Sequence, residues 1–209
     1  VATRSITITS GGGGIDFDST INGAQALTLS SGSGAIDIGG IIGGTTAIGA
    51  LTINASGSGT IAIEQIGDGN PVAGVVGTTA IGNSTTTKID FVGTQYTING
   101  NTTVTAASGS IGSATIDFNG GGATTFTTSA DTITFAGSPI ELLADAALTI
   151  TSANGNVSVV GVAGTEDEDI TITAGTGTLA IGDIGTGEEI NTVTLTGSTI
   201  TMSGDITTS

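Results

Sequence analysis

The sequence has no cysteine, no histidine and no tryptophan. Without cysteine there are no disulfides and no thiolate chemistry. Without histidine as well, Cys-His and Ser-His-Asp nucleophiles and the usual zinc ligand sets are excluded. Basic residues are nearly absent: Arg4 and Lys88 face 18 acids, for a net charge of −16. Such a chain repels a phosphate backbone and an anionic membrane surface, so no nucleic acid and no membrane insertion is expected. No apolar run reaches the ~18 residues of a spanning helix. With 2 prolines and aromatics at 3%, the chain is a poor match to an antiparallel sandwich, the alternative all-β architecture.

What is abundant is glycine, at 37 residues, within a chain that is 37% hydrophobic. No Gly-X-Y period appears, which excludes collagen. Ile, Leu and Val recur with period two, and disordered chains lack that pattern. The stretch Leu27–Ile53 holds the unit in miniature: an alternating strand, a Gly/Ser turn, a second alternating strand, a glycine-rich corner, and the first strand again.

The first strand type reads aliphatic-Thr-aliphatic-Thr/Ser/Asn. It occurs at Ile6–Thr9, Leu27–Ser30, Leu51–Asn54, Leu148–Thr151, Ile170–Thr173 and Val193–Thr196. A second type follows at Ile15–Phe17, Ile36–Ile38, Ile61–Ile63, Val157–Val159 and Leu179–Ile181, with Ile89–Phe91 and Ile116–Phe118 alike. A weaker third segment closes each unit, as at Ile42–Ile48, Val76–Ile81 and Ile184–Ile190. Successive strand side chains point to opposite faces, so the aliphatic pairs face a core and the Thr pairs face out. Pro139–Ala147 has a faint helical flavour and reads as a corner or loop insertion.

Units of roughly 21–28 residues with two or three strands and tight corners predict a solenoid. The fold expected is all-β: a right-handed parallel β-helix of about nine coils, on the order of 40–45 Å long. Residues 1–209 form a single array, regular over 1–66 and 145–209 and less regular over 67–144. Its core is a stack of Ile, Leu and Val with Phe17, Phe91, Phe118, Phe126 and Phe135.

The units Ser19–Leu29 (STINGAQALTL), Ile42–Ile53 (IGGTTAIGALTI) and Ser198–Ser209 (STITMSGDITTS) resemble those of giant bacterial extracellular β-strand-repeat proteins, the filamentous-haemagglutinin-like surface proteins. The likeness covers most of the chain. It implies a cell-surface location and a role as fibre, stalk or adhesin. No secretion domain is recognisable, and no signal peptide precedes the strand at Ile6, so the chain reads as processed or as part of a longer one.

The function expected is therefore non-enzymatic: an extracellular filament subunit or adhesin stalk that stacks end to end. Ile6 and Ile8 of one copy would lie next to Ile200 and Met202 of another, since an open sheet edge invites addition. The chain itself is the first partner expected, and cell-surface glycans the second.

Two alternatives rest on the outward residues. Thr7/Thr9, Thr28/Ser30, Thr52/Asn54, Thr149/Thr151, Thr171/Thr173 and Thr194/Thr196 would form two columns on one flat sheet. That arrangement resembles the Thr-X-Thr faces of ice-binding solenoids, although Thr is also an ordinary exposed strand residue. Paired carboxylates among Asp16, Asp37, Asp90 and Asp117 would be needed for a carbohydrate-active β-helix. Their bland reading is solvated positions beside the core.

No cofactor is expected apart from calcium. If Asp16 and Asp37 share a ladder they repel, and a cation would relieve them. Asp68 in its Gly-rich loop and the run Glu166, Asp167, Glu168, Asp169 are the other calcium candidates. Neither follows EF-hand or nonapeptide grammar, so a solvated acidic loop is the simpler reading. Sequons begin at Asn54, Asn83, Asn101 and Asn156, near chance in so Ser/Thr-rich a chain.

Overall fold

The structure is a computed structural model that describes residues 4–69, 74–109, 116–143, 145–165, 167–185 and 190–209. Among these residues there is no helix, and all strand pairings are parallel. The chain coils as a β-solenoid of about eight turns with three faces, which agrees with the architecture expected.

The first face stacks Ser5–Thr9, Ala26–Gly32, Leu51–Ala55, Thr79–Ile81, Thr102–Thr105 and Ile133–Ala136. It continues through the leading parts of Val157–Ala163 and Thr178–Ile184 to Thr199–Met202. The second face stacks Ile15–Phe17, Ile36–Ile42, Thr60–Ile66, Lys88–Phe91, Ile116–Phe118 and Ile140–Leu142. The third face begins as single residues, Ile21, Ile42 and Ile66. It widens into full strands from Gln95–Ile98 through Gly122–Thr128, Ala146–Ser152 and Asp169–Thr173 to Thr192–Thr196.

Side-chain alternation turns this stacking into ladders. Ile15, Ile36, Ile61, Ile89, Ile116, Ile140, Val162 and Ile184 form one inward column on the second face. Ile21, Ile42, Ile66, Tyr96, Phe126, Ile150, Ile172 and Leu195 form another on the third. Each fully buried Ile or Leu contributes on the order of 1.5–3 kcal/mol.

Coil length and side-chain size rise together. Thr102 aligns with Ile133, 31 positions later, which exceeds the 21–28 expected. That longer coil and its neighbours are filled by aromatics. Phe91 stacks on Phe118 at 4.6 Å, Tyr96 meets Phe91 edge-on at 4.8 Å, and Phe126 meets Phe135 at 5.1 Å. The Tyr96 hydroxyl has the carbonyls of Gly93, Ile63 and Glu64 within 3.1–3.3 Å, and burial pushes its phenol pKa up. Phe17 stays half-buried in the first coil, apart from that cluster.

Corners need backbone that only glycine adopts easily. Gly43, right after Ile42, has φ +71°, and a Cβ there would lie 2.0 Å from the carbonyl oxygen of Gly74. Asx side chains secure other corners across coils: Asn22 Oδ1 accepts from the Thr45 and Thr46 amides, and Asn156 Oδ1 accepts from the Thr178 amide.

Four expectations are corrected. Thr79–Ile81 does not close a unit; it pairs with Leu51–Ile53 on the first face and opens the next coil. Within Pro139–Ala147, Ile140–Leu142 is a strand on Ile116–Phe118, because its alternating Ile and Leu continue the inward columns. The first-type strands do not share one sheet. Those at Ile6, Leu27 and Leu51 lie on the first face, and those at Leu148, Ile170 and Val193 on the third. Val157–Val159 and Leu179–Ile181, read as second-type strands, sit on the first face instead.

Candidate functional site

The outward columns give each face its own chemistry. On the first face the column runs Thr7, Thr28, Thr52, Ala80, Thr103, Thr134, Ser158, Ala180, Thr201. Its companion Thr9, Ser30, Asn54 mixes hydroxyl and amide. This face therefore holds no continuous threonine grid.

The third face does. Thr97, Thr127, Thr151, Thr173 and Thr196 lie in register on successive coils. Beside them run Gln95, Thr125, Thr149, Thr171 and Thr194. The expected columns thus split: Thr149, Thr151, Thr171, Thr173, Thr194 and Thr196 belong to this grid, whereas Thr7, Thr9, Thr28 and Thr52 lie on another face. Thr125 and Thr127 complete the grid. The sequence reading passed over them because Phe126 replaces the usual aliphatic between them.

The second face carries an acid ladder. Asp16 stands opposite Asp37, both exposed; Ala62 interrupts; then Asp90, Asp117 and Glu141 follow in register. Like charges directly opposite destabilise a sheet. At Asp16 and Asp37 water screens the repulsion. At Asp117, only 4% exposed, it does not.

There the chain places its single lysine. Lys88 Nζ lies 3.0 Å from Asp117 Oδ2 and 3.3 Å from Asp90 Oδ2. Lys88 reaches Asp117 because positions 88 and 90 point to the same side of one strand, and Asp117 is the next-coil neighbour of Asp90. Burial raises the Asp117 carboxyl pKa; the Lys88 contact opposes this and Asp90 adds to it. Burial alone would lower the Lys88 amine, but Asp117 and then Asp90 more than reverse that and hold it above its ordinary value. Asp90 Oδ1 and Asp117 Oδ1 are both buried without a hydrogen-bond partner. Sequence reading listed both aspartates as solvated candidates and missed the lysine, whose spacing from Asp90 was the available signal.

The calcium candidates do not converge. Among the described residues no group of three or more carboxylates is arranged to hold a metal ion. Glu166 lies outside the described residues. Glu168 is fully buried and accepts from the Thr165 amide at 2.8 Å and the Thr165 hydroxyl at 2.7 Å. Asp167 is exposed, and Asp169 accepts from Asn191 Nδ2 at 3.0 Å on the next coil. The run is therefore not a simple solvated loop. Asp68 sits exposed just past the strand Thr60–Ile66.

All four sequon asparagines are tied to a neighbouring coil. Asn83 Nδ2 donates to Asn54 Oδ1, Asn101 Oδ1 accepts from the Thr132 amide at 3.0 Å, and Asn156 serves Thr178.

The end coils differ from the middle. Ile6 is 50% exposed and Ile8 half-buried; Ile200 is 41% exposed and Met202 half-buried. Ser5–Thr9 and Thr199–Met202 each pair with a strand on one side.

No family model matches the sequence, and comparison with curated proteins and with solved structures likewise gives no match. What the fold defines is a parallel β-solenoid repeat protein; the resemblance to haemagglutinin-like surface proteins rests on the repeat grammar alone.

Proposed function

We propose that the chain is an extracellular structural rod, a fibre subunit or adhesin stalk, and not an enzyme. The observation that carries this reading is the unbroken stacking of inward columns along one axis, as from Ile15 to Ile184. Inward columns that are fully covered in the middle coils surface at Ile6 and Ile200. A further coil beyond each end, from another copy or from more of the same chain, would cover them and pair the open backbone edges. Continuous ladders along one axis supply stiffness, and the net charge of −16 keeps rods apart sideways. Of the aspartates a carbohydrate-active reading would use, Asp90 and Asp117 are occupied by Lys88.

The test is electron microscopy at several protein concentrations, with and without EDTA. Filaments that lengthen with concentration and show a ~4.8 Å axial repeat support the reading. Short rods of one length at every concentration would sink self-stacking. Loss of filaments in EDTA would bring in calcium.

A second reading attaches to the third face, where paired threonines repeat without interruption from Thr125/Thr127 to Thr194/Thr196. Hydroxyls and methyls spaced ~4.8 Å between coils and ~6.6 Å along a strand can order a sheet of water. Ice binding on this face predicts thermal hysteresis that Thr171→Lys abolishes. A wild-type protein without hysteresis would remove this reading.

A further inference from the structure

Lys88 is the one lysine in the sequence, and it contacts the one aspartate that is buried among the described residues. We propose that Lys88 and Asp117 condense into an intramolecular amide, an isopeptide bond that welds two successive coils, with Asp90 as the proton relay.

Four observations lead there. Lys88 Nζ lies 3.0 Å from Asp117 Oδ2, a contact that holds the amine against the carboxyl group whose carbon it would attack. A second carboxylate, Asp90, touches the same amine at 3.3 Å, within reach for proton transfer. Asp117 Oδ1 and Asp90 Oδ1 are buried with no hydrogen-bond partner, so the charged pair is incompletely satisfied. Buried ions held that way are costly, and an amide removes both charges at once. The Lys88 side chain is 42% exposed, which leaves a path for water to depart.

The reaction balances from the ion pair. Lys88 begins as an ammonium and Asp117 as a carboxylate. Lys88 passes a proton to Asp90, and the free amine attacks Asp117 Cγ. The Nζ–Cγ bond forms while one Cγ–O bond breaks. The departing oxygen takes two protons that began on Nζ, one of them through Asp90, and leaves as water. Asp90 returns to its starting state. The positive and the negative charge vanish together, and neither oxidant nor cofactor enters.

Burial shifts the Asp117 carboxyl toward its neutral acid, the better electrophile. Contact with Asp117 and Asp90 holds the Lys88 amine above its ordinary pKa, so a proton must be taken from it before it can attack, and Asp90 is placed to take it.

The test is the intact mass of the folded protein, followed by trypsin on the denatured chain. The expected mass is lower than that of the sequence by one water, with cleavage after Arg4 and none after Lys88. The full sequence mass with cleavage at Lys88, in a protein whose circular dichroism shows β-structure, would overturn the proposal. Lys88→Arg keeps the cation but does not form this bond, so it should carry its full mass; a missing water there would place the dehydration elsewhere and overturn the assignment. Asp117→Asn should lose ammonia in place of water. Asp90→Asn should slow closure by about 100-fold or more; unchanged closure would overturn the relay role of Asp90.

Discussion

Asp117 stands directly opposite Asp90 on the adjoining coil, and Lys88 bridges the two at 3.0 and 3.3 Å. The Asp16–Asp37 pair has the same register with no lysine beside it, and both its members are exposed. Burial separates the two cases. Where water screens, like charges can stack unaided; where it does not, a cation is required.

Replacing Lys88 by methionine removes that cation. The remaining influences on Asp117, burial and Asp90, both raise its pKa. A carboxyl whose folded pKa lies above its unfolded value binds more protons when folded. Its contribution is therefore fully present below the ordinary carboxylate pKa of 3.8 and lost as pH rises through the folded value. Measured against Lys88→Arg, which keeps a cation and forms no amide, Lys88→Met should lose about 2 kcal/mol at pH 7, discounted for the partly exposed lysine, and recover much of it in mild acid. Urea midpoints between pH 4 and pH 8 check this; a loss independent of pH would contradict it.

Thr79 points inward, opposite Leu51 and Thr102, is 2% exposed, and its hydroxyl has no hydrogen-bond partner. Valine has nearly the same shape without the stranded oxygen. Thr79→Val should therefore stabilise the protein by about 1 kcal/mol. A lower denaturation midpoint would show that the hydroxyl is satisfied after all.

Gly43 combines φ +71° with a carbonyl 2.0 Å from the site of any added Cβ. Gly43→Ala must move the corner as well as strain the backbone, and should destabilise by about 2–3 kcal/mol. Amide exchange should rise first in the strands Ile36–Ile42 and Thr60–Ile66, because solenoid coils depend mainly on their neighbours.

Phe118 lies between Phe91 and Leu142 in its column and touches Tyr96, Phe126 and Phe135. Phe118→Ala should cost about 3–5 kcal/mol in chemical denaturation, more than any single Ile→Val change in the regular coils, at about 0.5–1.5 kcal/mol.

Ile6→Lys and Ile200→Lys place charge on the open ends without touching the middle coils. Under the stacking reading each should block filament growth from one end, and together they should leave only single rods in sedimentation. Filaments that persist in the double variant would mean that assembly uses another surface.

Much of this protein is determined by its sequence alone. Period-two alternation of Ile, Leu and Val forces inward columns, glycine-rich corners at near-equal intervals force coiling, and the absence of His and Cys removes whole classes of chemistry. The Asp16–Asp37 register is suggested by their like positions in two second-type strands, and the structure pairs them. The tertiary structure decided which strands share a face. Leu27–Ser30 and Leu148–Thr151 have the same local pattern, yet the added strand Gln95–Ile98 opens a wider third face between them and carries the later copy onto it. It also decided that Asp117 is buried while Asp37 is not, and that Glu168 turns inward to Thr165. A strand's pattern reports only which side of the chain is apolar. Its place in the stack depends on the summed lengths of all the corners before it, and its burial depends on the coils packed around it.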